Sequence, residues 1–136
     1  ADAHAVATDP RLLRRGLTPV ELALRYNAFD VLCAPSASEG FCVPLIEAQA
    51  CGVPVIATAD TPQEELVGVG WTVAGQPRWE PFDQVWWRTP LLPGLVEALG
   101  DAVEAGPGRA DEAREFASAF DADALVRDRW APLLGI

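Results

Sequence analysis

The chain has few of the residues from which metal centres and redox sites are built. Its 136 residues include one histidine, His4, and three cysteines, Cys33, Cys42 and Cys51, none of them in a Cys-x-x-Cys pair. A structural zinc site requires a closer cluster of cysteine and histidine, so we expect no metal site. An odd number of dispersed cysteines is typical of reduced thiols, which predicts a cytoplasmic protein.

Basic residues are also scarce. Ten Lys and Arg residues stand against twenty Asp and Glu, which gives a formal net charge of −10 and argues against binding to nucleic acid. A nucleotide ligand is still compatible with this charge, because a pocket of backbone N–H groups binds phosphate without a basic surface. No apolar run reaches the roughly 20 residues of a membrane-spanning helix, so no transmembrane segment is predicted.

Methionine is absent, and half of the residues are hydrophobic. An intact gene product begins with methionine before any trimming, so its absence favours a fragment or a processed chain. The apolar content is sufficient for a core. We therefore expect residues 1–136 to form one partial domain, truncated at its N-terminus.

The apolar runs predict an α/β fold. Residues 30–35 (DVLCAP) and 53–58 (VPVIAT) are short and apolar, as buried parallel strands are. Between them, VPLIEAQAC predicts a helix with Pro44 in its first turn and Gly52 just beyond its end. This strand–helix–strand order predicts a parallel sheet with a right-handed crossover, in which the two strands are adjacent and interior.

A capping box marks an earlier helix. Thr18 followed three residues later by Glu21 predicts a helix that runs to about residue 28, with Val20 and Leu24 facing the core.

Further elements are predicted on both sides of this unit. The remaining expectations are a strand at residues 3–8, a helical turn at 62–67, a strand at 70–75 (GWTVAG), and helices at 93–105, 108–119 and 123–134, each helix with acids near its start.

Residues 76–90 are rich in tryptophan and proline and show neither a helical nor a strand period. We interpret them as an ordered surface excursion. Its aromatic rings either stack on a sugar or base, or pack over the edge of the sheet. Packing is favoured, because burial of large aromatic side chains requires no ligand to explain it.

The loop at residues 36–41 is the candidate binding site. In open parallel sheets, ligands bind beyond the carboxyl ends of the strands, where this loop would lie. Gly40 would allow the backbone to approach a ligand closely. The N–H groups of Phe41, Cys42 and Val43, together with the helix dipole, favour an anion such as phosphate.

Two glutamates flank the start of this helix. Glu39 would lie in the loop and Glu47 about one turn inside the helix, so both could reach a ligand at the helix mouth. An ionised carboxylate accepts hydrogen bonds from both hydroxyls of a diol, which suits Glu47 to a ribose. Acids near helix starts are also common because the dipole favours them, and spacing alone favours structural or solvated glutamates.

Residues 22–58 closely resemble the carboxyl-terminal domain of retaining GT-B glycosyltransferases of the glycogen synthase and mannosyltransferase type. The family's two glutamates separated by seven residues correspond to Glu39 and Glu47 in EGFCVPLIE, and its Ala-x-Ala-x-Gly-x-Pro-Val-Ile pattern corresponds to residues 48–56. The resemblance implies a Rossmann-like parallel sheet flanked by helices, the carboxyl-terminal half of a GT-B fold.

The same resemblance implies site roles and substrates. Glu39 would act at the transferred sugar as the catalytic residue, Glu47 would bind the donor ribose, and the backbone around Gly40, Phe41 and Cys42 would contact sugar or phosphate oxygens. The donor would be a nucleotide-diphosphate sugar, bound as substrate, with no cofactor and no metal. Transfer would retain the anomeric configuration.

The sequence departs from the family pattern in several places. Cys42 stands where the family usually has glycine, and ADTPQ at residues 59–63 replaces its Gly-Gly loop. The family's diphosphate-binding Arg/Lys pair and its N-terminal acceptor-binding domain have no counterpart, so we expect the chain to be inactive alone. The basic cluster of Arg11, Arg14 and Arg15 is interpreted as solvated surface.

Two other functions remain open. The chain could be a noncatalytic nucleotide- or sugar-binding module that has kept the fold, or a structural partner subunit. The sequence does not identify the donor base, the donor sugar, the acceptor or the oligomeric state.

Overall fold

The computed structural model describes residues 16–60, 62–106 and 108–136. The predicted strand at residues 3–8, His4 and the basic cluster of Arg11, Arg14 and Arg15 lie outside the described residues.

Helical elements and strands alternate as far as residue 73, two further strands follow to residue 90, and the remaining elements are helical. The helices are α1 (Pro19–Tyr26), α2 (Val43–Ala50), α3 (Leu92–Ala105), α4 (Ala110–Ser118), α5 (Ala122–Leu125) and α6 (Ala131–Leu134), with a 3₁₀ turn at Glu64–Leu66 and a π-helical turn at Val126–Trp130. The strands are β1 (Leu32–Ala34), β2 (Val55–Thr58), β3 (Gly70–Val73), β4 (Gly75–Glu80) and β5 (Val85–Pro90).

The strands β1, β2 and β3 form a parallel sheet in that order. Leu32 pairs with Val55, and Val55 pairs with Gly70. All four residues of β2 are buried, whereas β1 is only partly buried and forms the edge of the sheet within the described residues. The predicted parallel neighbours are therefore confirmed, and in the sheet of the described residues only β2 of the two is interior.

Alternate residues of β2 face two separate hydrophobic layers. Val55 and Ala57 contact the layer that contains Leu45 and Ala48 of α2, while Ile56 contacts Val73 and Ala98 on the other side. Successive side chains in a strand point to opposite faces, so a strand with helices on both sides is apolar throughout. The fold is thus the predicted Rossmann-like α/β architecture, a parallel sheet flanked by helices.

The capping box of α1 is confirmed. The Thr18 N–H donates to Glu21 Oε2 over 2.9 Å, and the Glu21 N–H donates to Thr18 Oγ1 over 3.3 Å. The helix ends at Tyr26 rather than at residue 28.

The predicted core face of α1 is wrong. Val20 and Leu24 are 70% and 66% exposed, whereas Leu22 and Tyr26 contact the core. Both pairs are spaced four residues apart, so each forms an apolar stripe on the helix. The choice between the two stripes is made by packing against α2, which the local sequence does not encode.

Residues 76–90 belong to a β-hairpin, so the expected ordered excursion contains two strands that the sequence pattern did not show. The strands β4 and β5 are antiparallel, with pairs from Gly75 opposite Pro90 to Glu80 opposite Val85. A two-stranded ribbon tolerates proline because each strand has an open edge. The prolines and aromatic residues therefore interrupt the alternation of polar and apolar residues by which a strand is usually predicted.

The hairpin is held by cross-strand aromatic contacts. The rings of Trp79 and Trp86 meet edge to face with centroids 5.4 Å apart, and the Arg78 guanidinium lies 4.9 Å from the Trp87 ring centroid. Such pairs are the usual stabilising unit of an antiparallel ribbon. Even so, Trp86 is 63% and Phe82 is 92% exposed, so the favoured burial of these rings over the sheet edge is wrong for these two side chains.

The C-terminal helices lie close to their predicted positions. The helices α5 and α6 and the π-helical turn between them form one continuous helical stretch where a single helix was expected. Acids occupy the first turns of α4 and α5, but the first turn of α3 has none, which corrects that expectation.

Two buried glutamines have opposite environments. Gln49 Nε2 donates to the carbonyl oxygens of Leu45 and Leu66, each over 2.8 Å, and its Oε1 accepts from the N–H groups of Gly68 and Val69, each over 2.9 Å. Gln63 is 1% exposed, yet neither its Nε2 nor its Oε1 has a hydrogen-bond partner among the described residues. An unpaired buried amide costs stability, whereas a fully paired one maintains the fold.

Gln63→Leu should therefore raise the free energy of unfolding by about 1–3 kcal/mol, because it replaces an unpaired buried amide by an apolar side chain of similar size. Gln49→Leu is the matched control and should lower it by at least about 2 kcal/mol, since two N–H groups lose their acceptor. Urea unfolding followed by circular dichroism measures both. Equal destabilisation by the two variants would show that Gln63 has a partner in solution.

Candidate functional site

A loop follows the carboxyl end of each of the strands β1 and β2. Residues 36–41 follow β1, and the described residues 59–60 and 62–63 follow β2. The Thr58 hydroxyl donates to the Ser36 carbonyl oxygen over 2.7 Å, and the Ser36 N–H donates to the Ala34 carbonyl oxygen over 2.9 Å. The first loop is therefore fixed to the sheet at the edge where α/β folds bind ligands.

The start of α2 presents backbone donors at this edge. Among the described residues, the N–H groups of Phe41, Cys42 and Val43 form no hydrogen bond. Val43 is the first residue of the helix, whose dipole concentrates positive potential there. The predicted anion-binding backbone is thus present and unpaired, while its ligand stays a prediction.

Cys42 has a left-handed backbone conformation, with φ 66° and ψ 60°. Glycine adopts this region without a steric cost, so the conformation explains why a glycine is favoured at this position. The Cys42 side chain is 8% exposed and lies in the core beneath the loop. Burial, and then the nearby Glu39 carboxylate, raise the pKa of its thiol above the ordinary value.

Aromatic contacts hold the loop from the side of α4. The Phe41 ring meets the Phe120 ring edge to face with centroids 6.0 Å apart, and Phe120 contacts Phe116 at 5.5 Å. The Phe41 side chain therefore packs against Phe120, although it is still 44% exposed. Sequence analysis did not identify Phe116 and Phe120, because their partner lies about eighty residues away in the chain.

The two glutamates have different surroundings. The Glu39 side chain is exposed in the loop. Glu47 is partly buried, and its Oε2 accepts a hydrogen bond of 2.9 Å from the Tyr26 hydroxyl. Burial raises the pKa of the Tyr26 phenol, and the bond to Glu47 raises it further, so the phenol remains a donor.

Tyr26 was not identified from the sequence. It is 8% exposed and occupies the last turn of α1, twenty-one residues before Glu47. Its signal was an aromatic residue four positions after Leu22, which is equally compatible with an ordinary core side chain. Only the packing of α1 on α2 shows that its hydroxyl meets a carboxylate.

A shallow groove of about 210 Å³ lies between α1 and α2 beside Glu47. The Oε1 atom of Glu47 has no hydrogen bond within the described chain, so one carboxylate oxygen is fixed and the other is free. The groove is lined by residues of both helices: Pro19, Leu22, Ala23, Tyr26, Glu47, Ala50 and Cys51.

Another cavity, of about 160 Å³, lies near the amino end of β3 and is lined by residues that include Gly70, Trp71 and Arg109. It is at the opposite end of the sheet from the two loops. No group of three or more His, Cys, Asp or Glu residues arranged to hold a metal ion occurs in the ranges described. In those same ranges, no helix combines the length and apolar character needed to cross a bilayer.

Residues 15–80 match the family described as "Glycosyl transferases group 1". This group 1 segment contains α1, the parallel sheet, α2 and β4, and therefore both loops and both glutamates.

Several curated relatives carry glycosyltransferase names. The chain is 44% identical over 86 residues to the D-inositol 3-phosphate glycosyltransferase of Actinosynnema mirum, which covers 60% of this chain and 20% of that protein. It is 42% identical over 53 residues to the MMP alpha-(1->4)-mannosyltransferase of Mycolicibacterium hassiacum, covering 39% of this chain and 13% of that protein. The chain thus spans a fifth or less of the length of these relatives. No solved structure matches it significantly.

These matches support a glycosyltransferase and agree with the Rossmann-like fold. They do not test the retaining mechanism or the roles of Glu39, Glu47 and the backbone from Gly40 to Val43, which stay predictions.

The strain at Cys42 can be measured. Cys42→Val should lower the free energy of unfolding by about 1–3 kcal/mol, because a β-branched side chain tolerates the left-handed region poorly. Cys33→Val is the control, since Cys33 is an exposed residue of β1 with ordinary backbone geometry, and should change stability by about 0.5 kcal/mol or less. Thermal and urea unfolding of both variants provide the comparison. Equal effects would mean that the loop relaxes away from this conformation.

Proposed function

We propose that the chain is the donor-binding domain of a retaining GT-B glycosyltransferase. Joined to an N-terminal acceptor-binding domain, it transfers a sugar from a nucleotide-diphosphate sugar to an acceptor. The observation that carries the proposal is the environment of the Glu47 carboxylate. Glu47 lies on α2 within the group 1 segment, and its carboxylate accepts a hydrogen bond from the Tyr26 hydroxyl. Its free oxygen is a ready acceptor for a ribose hydroxyl.

The proposed roles follow the geometry of the edge. Glu47 binds the ribose, and the N–H groups at the start of α2 receive the phosphates. Glu39, exposed in the loop, acts at the transferred sugar. The acceptor hydroxyl oxygen forms a bond to the anomeric carbon while the bond from that carbon to the phosphate oxygen breaks. The electrons of the broken bond pass to the nucleoside diphosphate, which also takes up the hydroxyl proton. Positioning and stabilisation of that charge supply the catalysis.

The surroundings of the site fit this chemistry. The donor is the substrate, and the proposal includes no cofactor and no metal. The three cysteines are free thiols, as expected of the cytoplasmic setting that we propose.

The chain alone should show no glycosyl transfer, because it supplies the donor half of the site and the acceptor is bound elsewhere. The assay incubates the isolated chain and the full-length protein with a panel of nucleotide sugars and detects the released nucleoside diphosphate. Transfer to a defined acceptor by the isolated chain would contradict the proposal that a separate domain binds the acceptor.

Glu47→Gln in the full-length protein should weaken nucleoside diphosphate binding by about 10- to 150-fold, the equivalent of one charge-assisted hydrogen bond. Calorimetric titration with nucleoside diphosphates and their 2′,3′-dideoxy analogues measures it. The wild type should lose affinity when the diol is removed, and the variant should lose almost none.

Two control variants separate ribose binding from helix packing. Glu21→Gln changes an acid in the first turn of α1 and should leave nucleotide affinity unchanged. Tyr26→Phe removes the hydrogen bond between α1 and α2 but keeps the carboxylate, so it should cost less affinity than Glu47→Gln. If Tyr26→Phe and Glu47→Gln lose the same affinity, and both still discriminate the dideoxy analogue, Glu47 only joins the two helices.

A further inference from the structure

We propose that Arg88, on the hairpin strand β5, is an additional cation that binds the diphosphate of the donor. The inference rests on the proposed function and adds a residue to the same site. Arg88 lies outside the group 1 segment, which ends at residue 80, so the match assigns it no role.

The hairpin joins the candidate site through Arg88 itself. The Arg88 N–H donates to the Ala37 carbonyl oxygen over 2.8 Å, and Ala37 lies two residues before Glu39 in the loop that follows β1. From Ala37 to Cys42 the chain advances five residues, a span of at most about 17 Å when fully extended. The base of β5 is therefore part of the wall of the site.

Close packing at Gly75 fixes the hairpin against the end of β2. A Cβ atom at Gly75 would lie 3.2 Å from Thr58 Cγ2 and 2.9 Å from Arg88 Cβ. Thr58 is the last residue of β2, and its hydroxyl also binds the first loop. The side chain of Arg88 thus begins directly beside the carboxyl end of the central strand.

The Arg88 guanidinium is held loosely and has unused donors. Its Nε lies 3.9 Å from Asp60 Oδ1, which is close enough for attraction but too long for a hydrogen bond. No side-chain hydrogen bond of Arg88 occurs within the described residues, and the side chain is 44% exposed. A guanidinium presents a planar fork of five N–H donors that matches phosphate oxygens, so it is suited to a diphosphate.

The acidic residues at the carboxyl ends of β1 and β2 favour a role for such a cation. Asp60 follows β2 and Glu39 follows β1, and both carboxylates would repel a diphosphate. Other described arginines pair with acids of the hairpin or of the C-terminal helices: Arg78 with Glu80, Arg109 with Glu112, Arg114 with Asp111, and Arg127 with Asp128. In the part of the chain that the structure describes, Arg88 is the arginine whose contacts lie at this edge.

The test uses the full-length protein and calorimetric titration with UDP, GDP and ADP, and with uridine, guanosine and adenosine. Arg88→Gln should weaken binding of the preferred nucleoside diphosphate at least tenfold and leave binding of its nucleoside unchanged. Arg88→Lys should restore part of the loss because it keeps the charge without the fork. Arg78→Gln, on the partner strand of the same hairpin, is the matched control and should change neither affinity.

Asp60→Asn gives a second, independent readout. It removes the carboxylate that competes for Arg88, so affinity for the diphosphate should rise severalfold, and this gain should vanish in the Arg88→Gln background. If the role of Arg88 is purely structural, Asp60→Asn should instead lower affinity for the diphosphate, because loss of the ion pair would loosen the hairpin. Circular dichroism of each variant confirms that it is folded.

The outcomes distinguish the two levels of the proposal. If the wild type binds none of the nucleoside diphosphates, the proposed function fails and the role of Arg88 fails with it. If the wild type binds one of them and Arg88→Gln binds it equally well, the role of Arg88 is overturned while the proposed function stands. Equal losses for the diphosphate and the nucleoside would also overturn it, because Arg88 would then act through the shape of the site.

Discussion

The buried amide of Gln49 is the constraint on which the candidate site depends. It joins α2 to residues 66–69, at the end of the 3₁₀ turn and before β3, through three hydrogen bonds, makes a fourth to the Leu45 carbonyl oxygen within α2, and is 0% exposed. Within a low-dielectric core such a fully paired network permits a single arrangement, since any shift of the helix leaves buried donors unpaired. The position of Glu47, two residues earlier on α2, follows from this fixed helix.

The remaining contacts of the site bring distant segments to one edge of the sheet. Tyr26 reaches Glu47 from α1, Thr58 binds the first loop from β2, and Arg88 binds the same loop from the hairpin. Each is a hydrogen bond at the boundary of the core. Because these groups are shielded from water, leaving one of them unpaired would cost free energy. The loop therefore keeps one shape although its own residues are largely exposed.

That fixed shape accounts for the strain at Cys42. A residue other than glycine persists in the left-handed region only where its surroundings determine the backbone. Here the Cys42 carbonyl accepts a hydrogen bond from the Leu45 N–H, and the Cys42 side chain is buried beneath the loop. The strained residue directly precedes the eight residues of α2, whose position the core fixes.

The sequence by itself determined the local elements and their order. The capping box at Thr18, the apolar run of β2 and the proline and glycine at the ends of α2 each carry their signal within a few residues, because capping, strand burial and helix termination are local effects. The positions of Glu39 and Glu47 relative to the start of α2 followed from the same signals. Tertiary structure alone decided which apolar stripe of α1 faces the core, that Tyr26 meets Glu47, that the tryptophan-rich segment pairs as a hairpin, and that Arg88 lies at the carboxyl edge of the sheet. Those contacts join residues between 21 and 51 positions apart in the chain, or pair two strands of irregular composition. These contacts depend on how whole helices and strands pack against one another, and a short stretch of sequence does not specify that packing.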